Sequence, residues 1–444
     1  MSQQVDLKSQ NVDGSHIDLN EDFKTAFNLM EKTADSVFIT GRAGTGKSTL
    51  LSYFRGKTRK NVAVLAPTGV AALNIKGQTI HSFFKFKPGV TLDSVTKLYG
   101  WRRENYEKLD AIIIDEISMV RADLLDCVDR FMRLNGPDGS SPFGGVQMIF
   151  VGDLYQLPPV VTQGETAMFK ARYRSEYFFD SRAFEDLTLR FVELKKNYRQ
   201  ADERFITMLN AIRTNTATDE DLALLNSRVD PQFVPRPSEG YVSLTPTNRL
   251  ADEVNKERMA GLRGELRVYH SRLDGDFEKS ALPADEALSI KQGMQVMLLT
   301  NDKLGRWANG SIGSVMGIAT AEDGQDAIAV ELTDGSQVEI TPYTWELYKF
   351  SYDPKLAKLE PKTAGSFTQY PLMPAWAITI HKSQGKTFGR VVIDIGSGTF
   401  AYGQLYVALS RCTSLEGIVL RRRIERRHIL MDDRVAEFLR AHKL

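Results

Sequence analysis

Residues 41–48 read GRAGTGKS and match the pattern G-x-x-x-x-G-K-[S/T] without a gap. The apolar run 37–40 before them predicts a buried strand, and 49–54 after them predicts the first turns of a helix. In that context the glycines let backbone N–H groups surround phosphate oxygens at the positive end of a helix. Lys47 is expected to reach the β- and γ-phosphates and Ser48 to bind Mg²⁺. We interpret the stretch as a P-loop; an ordinary glycine-rich turn is the alternative.

The composition is that of a globular protein, with 444 residues, 42% hydrophobic and 25% charged. The length predicts about two to four domains, because single hydrophobic cores stop growing near roughly 250–300 residues. The net charge of +1 does not point to a nucleic-acid partner for the molecule as a whole. A basic groove can nevertheless lie within such a balanced total.

The sequence disfavours several kinds of site and location. Cys127 and Cys412 form no C-x-x-C pair, and the six histidines are scattered, which argues against a zinc ribbon or a disulfide framework. No apolar run approaches the roughly 20 residues of a membrane span. Residues 1–20 are polar and lack arginine, so they predict neither a signal nor a transit peptide. We expect a soluble, cytoplasmic protein.

Short apolar strands alternate with helices along most of the chain. The predicted strands of the first half are 37–40, 62–66, 112–114 and 148–151, and each ends in a polar loop. A second set begins near 191–194 and continues at 241–244, 376–380 and 391–394, with a helix at 405–409. This alternation predicts two α/β domains with parallel sheets, whose ligands lie at the carboxyl ends of the strands.

The region between these two halves has a different pattern. Short strands are predicted at 296–299, 312–318, 327–332 and 338–340, with the turn signals Asp323-Gly324 and Asp334-Gly335 between them. We predict a small β-barrel over 289–367, inserted in a second lobe of 191–288 and 368–444. The first lobe is predicted over 1–190.

Asp115 and Glu116 end an apolar strand downstream of the P-loop. In that position Asp115 is expected to hold Mg²⁺, and Glu116 to orient and deprotonate the attacking water. A carboxylate pair that caps the following turn is the alternative. Gln156, in the loop 152–159, is a candidate for sensing the γ-phosphate or positioning water, and a plain proline-terminated loop is its alternative.

Arg199 and Arg411 each end a predicted element of the second lobe. An arginine finger would project across a cleft from such a place. A lone arginine is more often part of a surface salt bridge, and spacing alone does not distinguish these two.

Hydroxyls, aromatic rings and lysines flank a short loop after the second strand, in 67–72 and 79–87. This mixture suits single-stranded nucleic acid, whose bases stack on rings while polar groups hold phosphates. The alternative is that Phe83, Phe84 and Phe86 are core residues, and we expect this of at least one. The run 381–387 and residues Thr247 and Asn248 repeat the pattern in the second lobe. The basic residues of 421–427 fit a DNA contact or a solvated face equally well.

The motifs GRAGTGKST, APTGVAALNIKGQTIHSFF, IIIDEISMV, VGDLYQLPPV, ELKKNYRQ, AITIHKSQGKTF and LYVALSRC run in this order almost to the C-terminus. In this combination the chain resembles the Pif-type DNA helicases of superfamily 1, in the 5′-to-3′ group. The resemblance implies two RecA-like P-loop NTPase lobes, a small wedge insertion near 70–80 and an SH3-like β-barrel as the insert.

The resemblance also assigns roles to residues. ATP would be hydrolysed with the help of Lys47, Asp115, Glu116, Gln156, Arg199 and Arg411. The residues that would hold the nucleotide are Gly41, Ala43, Gly44, Thr45, Gly46, Lys47, Ser48, Thr49, Gln384 and Gly385. Mg²⁺ would be held by Ser48 and Asp115. The expected DNA contacts are Pro67, Thr68, Gly69, Thr79, His81, Ser82, Phe83, Thr247, Asn248, His381, Lys382 and Ser383.

The implied activity is ATP-dependent 5′-to-3′ translocation on single-stranded DNA with unwinding of duplexes. The implied partners are single-stranded DNA and its junctions with duplex, and G-quadruplex DNA is a further candidate. We expect a monomer that is nucleoid-associated if bacterial, with dimerisation on DNA left open. A P-loop switch without unwinding and an RNA-directed motor are the competing hypotheses. One departure stands out: Phe23 occupies the place of the family's adenine-reading glutamine, so base selectivity is in question.

Overall fold

The computed structural model describes residues 17–275, 282–320, 324–396, 398 and 401–442. The first lobe alternates helices and strands from Glu21 to Leu194. Its elements are α1 (Glu21–Lys32), β1 (Ser36–Gly41), α2 (Lys47–Lys57), β2 (Val62–Ala66), α3 (Gly69–Asn74), β3 (Gln78–Thr79), α4 (Ile80–Phe84), α5 (Trp101–Glu107), β4 (Ala111–Ile114), α6 (Ala122–Asn135), β5 (Gln147–Val151), α7 (Gln163–Lys170), α8 (Arg182–Glu185) and β6 (Leu189–Leu194).

The six strands of this lobe form one parallel sheet in the order β3-β2-β4-β5-β1-β6. Every residue of β1, β2, β4 and β5 is buried, because helices cover both faces of the sheet. This explains why these strands read as continuous apolar runs. The carboxyl ends of β1, β4 and β5 lie side by side, which brings the P-loop, Asp115 and the loop after Val151 together.

The second lobe begins with α9 (Glu203–Arg213), α10 (Asp219–Asn226), β7 (Val242–Thr245) and α11 (Asn248–Ala260). A β-rich region interrupts it. The strands of that region are β8 (Arg267–His270), β9 (Arg272–Gly275), β10 (Ala287–Ile290), β11 (Gln295–Leu298), β12 (Ile312–Thr320), β13 (Asp326–Leu332), β14 (Gln337–Ile340), β15 (Tyr343–Asp353), β16 (Lys358–Gln369) and β17 (Leu372–Pro374). The lobe then resumes with β18 (Ala377–Thr379), β19 (Val391–Ile393), α12 (Gln404–Leu409), β20 (Ile418–Leu420) and α13 (Asp433–Ala441).

The second lobe has its own parallel sheet, in the order β18-β7-β19-β20. The two predicted α/β units with parallel sheets are therefore confirmed. The β-rich region forms three antiparallel sheets in the described residues: β14-β13-β12-β11-β17, β15-β16-β9 and β10-β8. Its strands extend from Arg267 to Pro374, beyond both ends of the predicted insert of 289–367. The strand predicted at 191–194 to open the second set is instead part of β6 and pairs with β1 in the first lobe's sheet. The domain boundaries and the SH3-like barrel stay predictions.

The long hairpin of β15 and β16 reaches back to the first lobe. Phe350 and Leu359 belong to the hydrophobic core of that lobe. The N–H of Phe350 donates to Gln78 Oε1 at 3.2 Å, and the N–H of Leu359 donates to Asn61 Oδ1 at 2.9 Å. The β-rich region is thus bonded to both lobes, although the sequence places it within the second.

The last described helix, α13, also packs on the first lobe rather than on the second. Val435, Phe438 and Leu439 lie in the first lobe's core, and the Phe438 ring stacks on Phe179 with centroids 4.2 Å apart. The Arg434 guanidinium forms an ion pair with Asp180. The chain therefore starts in the first lobe, builds the second and returns to the first.

In the part of the chain that the structure describes, no helix combines the length and apolar character that crossing a membrane requires.

Candidate nucleotide and nucleic-acid site

A cavity of about 770 Å³ opens between the two lobes. The first lobe contributes the P-loop from Ala43 to Thr49 together with Glu116 and Gln156. The second contributes Gly385, Thr387 and Arg411, and the segment between the lobes contributes Tyr198 and Arg199. This volume is in the ordinary range for a small-molecule site. The structure thus brings most of the predicted nucleotide residues to one place.

The P-loop follows β1 and ends at the first turn of the eleven-residue helix α2. Gly44 and Gly46 have φ angles of 83° and 87°, a region that favours glycine. A Cβ on Gly44 would also lie 2.5 Å from Cβ of Arg199, so a side chain would push that arginine away. Gly41, at the end of β1, supports the loop through its carbonyl rather than by lining the cavity.

Lys47 is half-buried and lines the cavity beside the loop in which it lies. Its Nζ donates to the carbonyls of Gly41 at 2.6 Å and Arg42 at 3.0 Å. Burial lowers the pKa of this ammonium, whereas Asp153 and Glu116 oppose that shift. Two backbone carbonyls of the loop therefore hold the Lys47 side chain in place beside the cavity, the position that a phosphate-binding lysine needs.

Asp115 and Glu116 follow β4, as predicted, and face the P-loop. Burial raises the pKa of both carboxyls, and Lys47 opposes the shift. Glu116 has a φ of 49° and a ψ of 43°, a left-handed conformation that costs free energy and is typical of functional positions. A divalent cation nearby would counter the effect of burial on these carboxyls.

The donor set fits Mg²⁺ in the manner expected for a nucleotide-dependent site. Ser48 supplies a hydroxyl and Asp115 a carboxylate, and Mg²⁺ in such sites takes its remaining ligands from substrate phosphates and water. Among the described residues no group of three or more His, Cys, Asp or Glu could hold a metal alone. The residues present thus suit a cation that arrives with the nucleotide.

Gln156 lies in the loop after β5 and lines the cavity. Its Nε2 donates to Asp153 Oδ2 at 3.3 Å, and its backbone N–H donates to the backbone carbonyl of Asp153 at 3.0 Å. The side chain is nearly buried yet reaches the cavity, which is consistent with a contact to a phosphate or a water.

Arg199 and Arg411 line the cavity together, and the backbone of Arg199 adjoins Gly44 of the P-loop. The Arg411 side chain is 1% exposed and bonds to Val407 O, Ser383 O and Ser410 Oγ. Arg199 Nη1 donates to Ser410 O at 3.2 Å. Burial, followed by the nearby charge of Arg199, lowers the pKa of Arg411 to about 9, so Arg411 remains charged at neutral pH. A buried cation beside the half-buried Arg199 is best stabilised by an anion between the lobes.

Gln384 and Gly385 follow β18 in the second lobe. The Nε2 atom of Gln384 is buried and has no hydrogen-bond partner among the described residues. A buried donor without a partner is costly, which indicates that this amide bonds to a ligand or to a rearranged neighbour. Gly385 lines the cavity itself.

Several residues that the sequence motifs do not assign to the nucleotide also line the cavity. They are Ile17, Asp18, Asn20 and Tyr198, together with the Phe23 already noted. Asn20 caps α1 by accepting from the N–H of Phe23 and donates to the Tyr198 hydroxyl at 3.1 Å. That hydroxyl donates to Asp18 Oδ2 at 3.0 Å. The only advance signal was the helix-cap position of Asn20, which predicts a cap and not a ligand.

The predicted DNA residues of the first lobe lie at the ends of β2 and β3. Thr68 and Thr79 are the N-caps of α3 and α4 and accept from Ala71 N and Ser82 N. Pro67, Gly69, His81 and Ser82 adjoin these caps. Phe83, in contrast, is 4% exposed and packs edge-on against Phe84 in the core. Its ring is therefore not available to a base. This agrees with the alternative that at least one of these phenylalanines is a core residue.

The second lobe repeats the arrangement. Thr247 caps α11 by accepting from Leu250 N, and Asn248 is the exposed first residue of that helix. His381 and Lys382 are exposed after β18, whereas Ser383 is fully buried and its hydroxyl donates to Ile380 O at 2.7 Å. Ser383 therefore supports the loop and presents no side chain to solvent.

The basic residues of 421–427 are largely engaged within the protein. Arg426 pairs with Asp219 at 2.9 Å, Arg427 pairs with Glu425 at 3.0 Å, and Arg421 donates to Pro231 O. These contacts favour a solvated charged face over a DNA contact.

The chain is similar in sequence to known helicases over most of its length. The model of the PIF1-like helicase family matches residues 18–222, and the UvrD-like helicase C-terminal domain matches 374–415. An ATP-dependent DNA helicase Pif1 of Bdellovibrio bacteriovorus is 31% identical over 91% of this chain and 88% of its own length. The Emericella nidulans PIF1 is 31% identical, and this chain spans 61% of its length.

Solved structures match over nearly the whole chain. Bacteroides Pif1 in complex with ADP-AlF4 has a TM-score of 0.88 at 35% identity and covers 96% of this chain and 97% of its own. The two lobes are accordingly RecA-like, as predicted. Two parallel sheets, a cavity shared by a P-loop and two arginines, and these matches lead to one conclusion: the chain belongs to the PIF1-like helicase family.

Proposed function

We propose that this protein is an ATP-dependent DNA helicase that translocates 5′-to-3′ on single-stranded DNA and unwinds duplex. The observation that carries the proposal is the interlobe cavity, which the P-loop lines together with Arg199 and Arg411. Only a cleft built from two bodies can couple hydrolysis to relative motion. The relatives are named ATP-dependent DNA helicases, which supports the substrate class.

The chain's own residues suffice to outline the hydrolytic step. The P-loop N–H groups and Lys47 hold the phosphates, and Glu116 orients water and accepts its proton. Arg199 and Arg411 neutralise charge that develops on the γ-phosphate oxygens, and stabilisation of that charge dominates phosphoryl transfer. Ser48 and Asp115 would hold Mg²⁺, which when bound would supply positive charge to the nucleotide phosphates.

DNA would lie across both lobes along the capped helices. Thr68, Thr79 and Thr247 each sit at the N-terminus of a helix, where backbone N–H groups favour phosphate. A Bacteroides Pif1 structure at 36% identity is bound to ssDNA, which supports single-stranded DNA as the ligand. His381 and Lys382 extend it in the second lobe. We include ss/ds junctions among the ligands, treat G-quadruplex DNA as a further candidate, and place the protein with DNA in the cytoplasm.

Strand displacement on matched substrates with a 5′ or a 3′ single-stranded tail tests the proposal. We expect ATP-dependent displacement of the 5′-tailed substrate only. Displacement from the 3′ tail would reverse the polarity. DNA-stimulated ATP hydrolysis without displacement would favour a switch, and preference for an RNA tail would favour an RNA-directed motor.

A further inference from the structure

A buried polar cluster joins the P-loop to the second lobe beside the nucleotide cavity. The Tyr406 hydroxyl accepts from the N–H of Ala43 at 3.1 Å and donates to Asp153 Oδ2 at 3.3 Å. Asp153 also forms an ion pair with Arg213 at 2.9 Å. Ala43 and Asp153 belong to the first lobe, whereas Tyr406 and Arg213 belong to the second. One hydroxyl therefore bonds to both the P-loop and the loop after β5.

The cluster is sealed from solvent. The exposed fraction is 0% for Asp153, 3% for Tyr406 and 9% for Arg213, whose guanidinium lies 4.1 Å from the centre of the Tyr155 ring. Burial alone would raise the pKa of Asp153, but Arg213 and Lys47 outweigh it and hold the pKa below its ordinary value. A buried ion pair adds little net stability compared with apolar packing, so its use across an interlobe boundary points to geometry as its purpose.

Tyr406 lies in α12, and Arg411 follows this helix and bonds to it. All six residues of α12 are buried, and Arg411 Nε donates to the carbonyl of Val407 in that helix at 2.9 Å. Gly403, just before α12, has a φ of 69°, and a Cβ there would lie 2.3 Å from the carbonyl oxygen of Tyr155. The start of α12 therefore abuts the first lobe without spare room, and the Tyr406 hydroxyl fixes its register there.

We infer that Tyr406 is a positioning residue that sets where Arg411 stands relative to phosphates on the P-loop. It acts through its hydrogen bonds to Ala43 and Asp153. The inference rests on the proposed function, because Arg411 must serve hydrolysis for its position to matter. Since Arg411 acts on charge that develops in the transition state, a misplaced Arg411 lowers kcat more than it raises KM.

The test removes the hydroxyl and keeps the ring, as Tyr406→Phe. We expect the kcat of DNA-stimulated ATP hydrolysis to fall by about 10²-fold, the scale of a misplacement near 1 Å. The KM for ATP and the Kd for a labelled oligonucleotide should stay within about twofold of the wild type. Tyr173→Phe is the matched control, because the Tyr173 hydroxyl donates to Asp126 Oδ2 at 2.9 Å within the first lobe. Its kcat should equal that of the wild type.

A double variant separates positioning from a merely structural role. If Tyr406 works through Arg411, then Tyr406→Phe combined with Arg411→Ala is no slower than Arg411→Ala alone. The inference would be overturned if the kcat of the double variant fell by the product of the two single losses. It would also be overturned if Tyr173→Phe lost as much kcat as Tyr406→Phe. A wild type without DNA-stimulated hydrolysis overturns the proposed function and this inference together. An active wild type with an unaffected Tyr406→Phe variant overturns the inference alone.

Discussion

The two walls of the nucleotide cavity are built in opposite ways. The P-loop wall is one contiguous stretch of the first lobe, from Ala43 to Thr49. The other wall gathers Arg199, Gly385, Thr387 and Arg411 from places far apart in the chain. The first wall is complete within its own lobe, whereas the second forms only where the lobes meet. We therefore assign phosphate binding to the contiguous P-loop wall and catalysis to the wall that distant residues form together.

The walls also differ in the groups that they offer a phosphate. The P-loop offers backbone N–H groups and one lysine, which suit any phosphate chain whatever the reaction stage. The other wall offers two arginines whose planar forks match oxygens on the transferred phosphoryl group. We therefore expect variants of the two walls to separate nucleotide retention from turnover.

The largest effect should come from Lys47→Ala. ATP turnover should be abolished, because this ammonium faces phosphate within the loop, whereas binding of a labelled single-stranded oligonucleotide should be largely retained. Steady-state hydrolysis and fluorescence anisotropy measure the two properties. Lys57→Ala, at the exposed C-terminal end of the same helix, is the control. Loss of DNA binding in Lys47→Ala alone would show that the two sites are not separate.

The next largest effect should come from Arg411→Ala. We expect kcat to fall by about 10³-fold or more, the scale of an arginine finger, with a much smaller change in Mg-ATP affinity. Arg411→Lys should rescue little, because lysine lacks the planar fork. Hydrolysis at saturating oligonucleotide, together with titration of a labelled nucleotide, measures both. The control is Arg263→Ala, at an exposed arginine after α11. Near-normal turnover in Arg411→Ala would remove the assembled wall from catalysis.

Salt should weaken DNA binding to the same extent in the wild type and in variants of the nucleotide cavity. Oligonucleotide affinity should fall as salt rises, with a log–log slope of about −0.7 for each phosphate contact. Arg411→Ala should show the same slope as the wild type, because the arginine is buried away from solvent. Anisotropy titrations at several salt concentrations measure it. A flat response would mean that stacking dominates binding.

The smallest effect concerns the part of the cavity that α1 and the residues before it line. Asp18, Asn20 and Tyr198 bond to one another there, and Phe23 stands among them. In the described part of this pocket, Asp18 and Asn20 already bond to the Tyr198 hydroxyl, so we expect weak base discrimination, with kcat/KM for ATP and GTP within about tenfold of each other. Competition between the two nucleotides measures the ratio. A preference of about 10⁴-fold for ATP would reveal a hydrogen bond to adenine made in the closed state.

The sequence predicted what is local. Continuous apolar strands that end in polar loops predicted both parallel sheets, and the P-loop and Asp115 follow from strand–loop–helix order. The N-cap roles of Thr68, Thr79 and Thr247 lie within single turns. Each of these features depends on residues a few positions apart, which is why patterning sufficed for them.

The sequence did not predict what depends on distant packing. Nothing in its spacing distinguishes the buried ring of Phe83 from one that stacks on a base, because both readings need an aromatic residue beside a loop. Tyr406 reads as one more apolar position of a buried helix, and its partner Ala43 contributes only a backbone N–H. The return of α13 to the first lobe likewise depends on the shape of a core from which residues 195–432 separate it, as the contact of Phe438 with Phe179 shows.

That return has a mechanical consequence. Ile17 and Phe438 belong to one core, so both ends of the described chain are anchored in the same lobe. A pulling force applied at these ends would load the first lobe and the docking of α13, while the second lobe stays outside the load path. Detachment of Phe438 and the Arg434–Asp180 pair would transfer tension to the second lobe. In a single-molecule pulling experiment we thus expect α13 to detach from the first lobe before the cleft between the lobes is stretched.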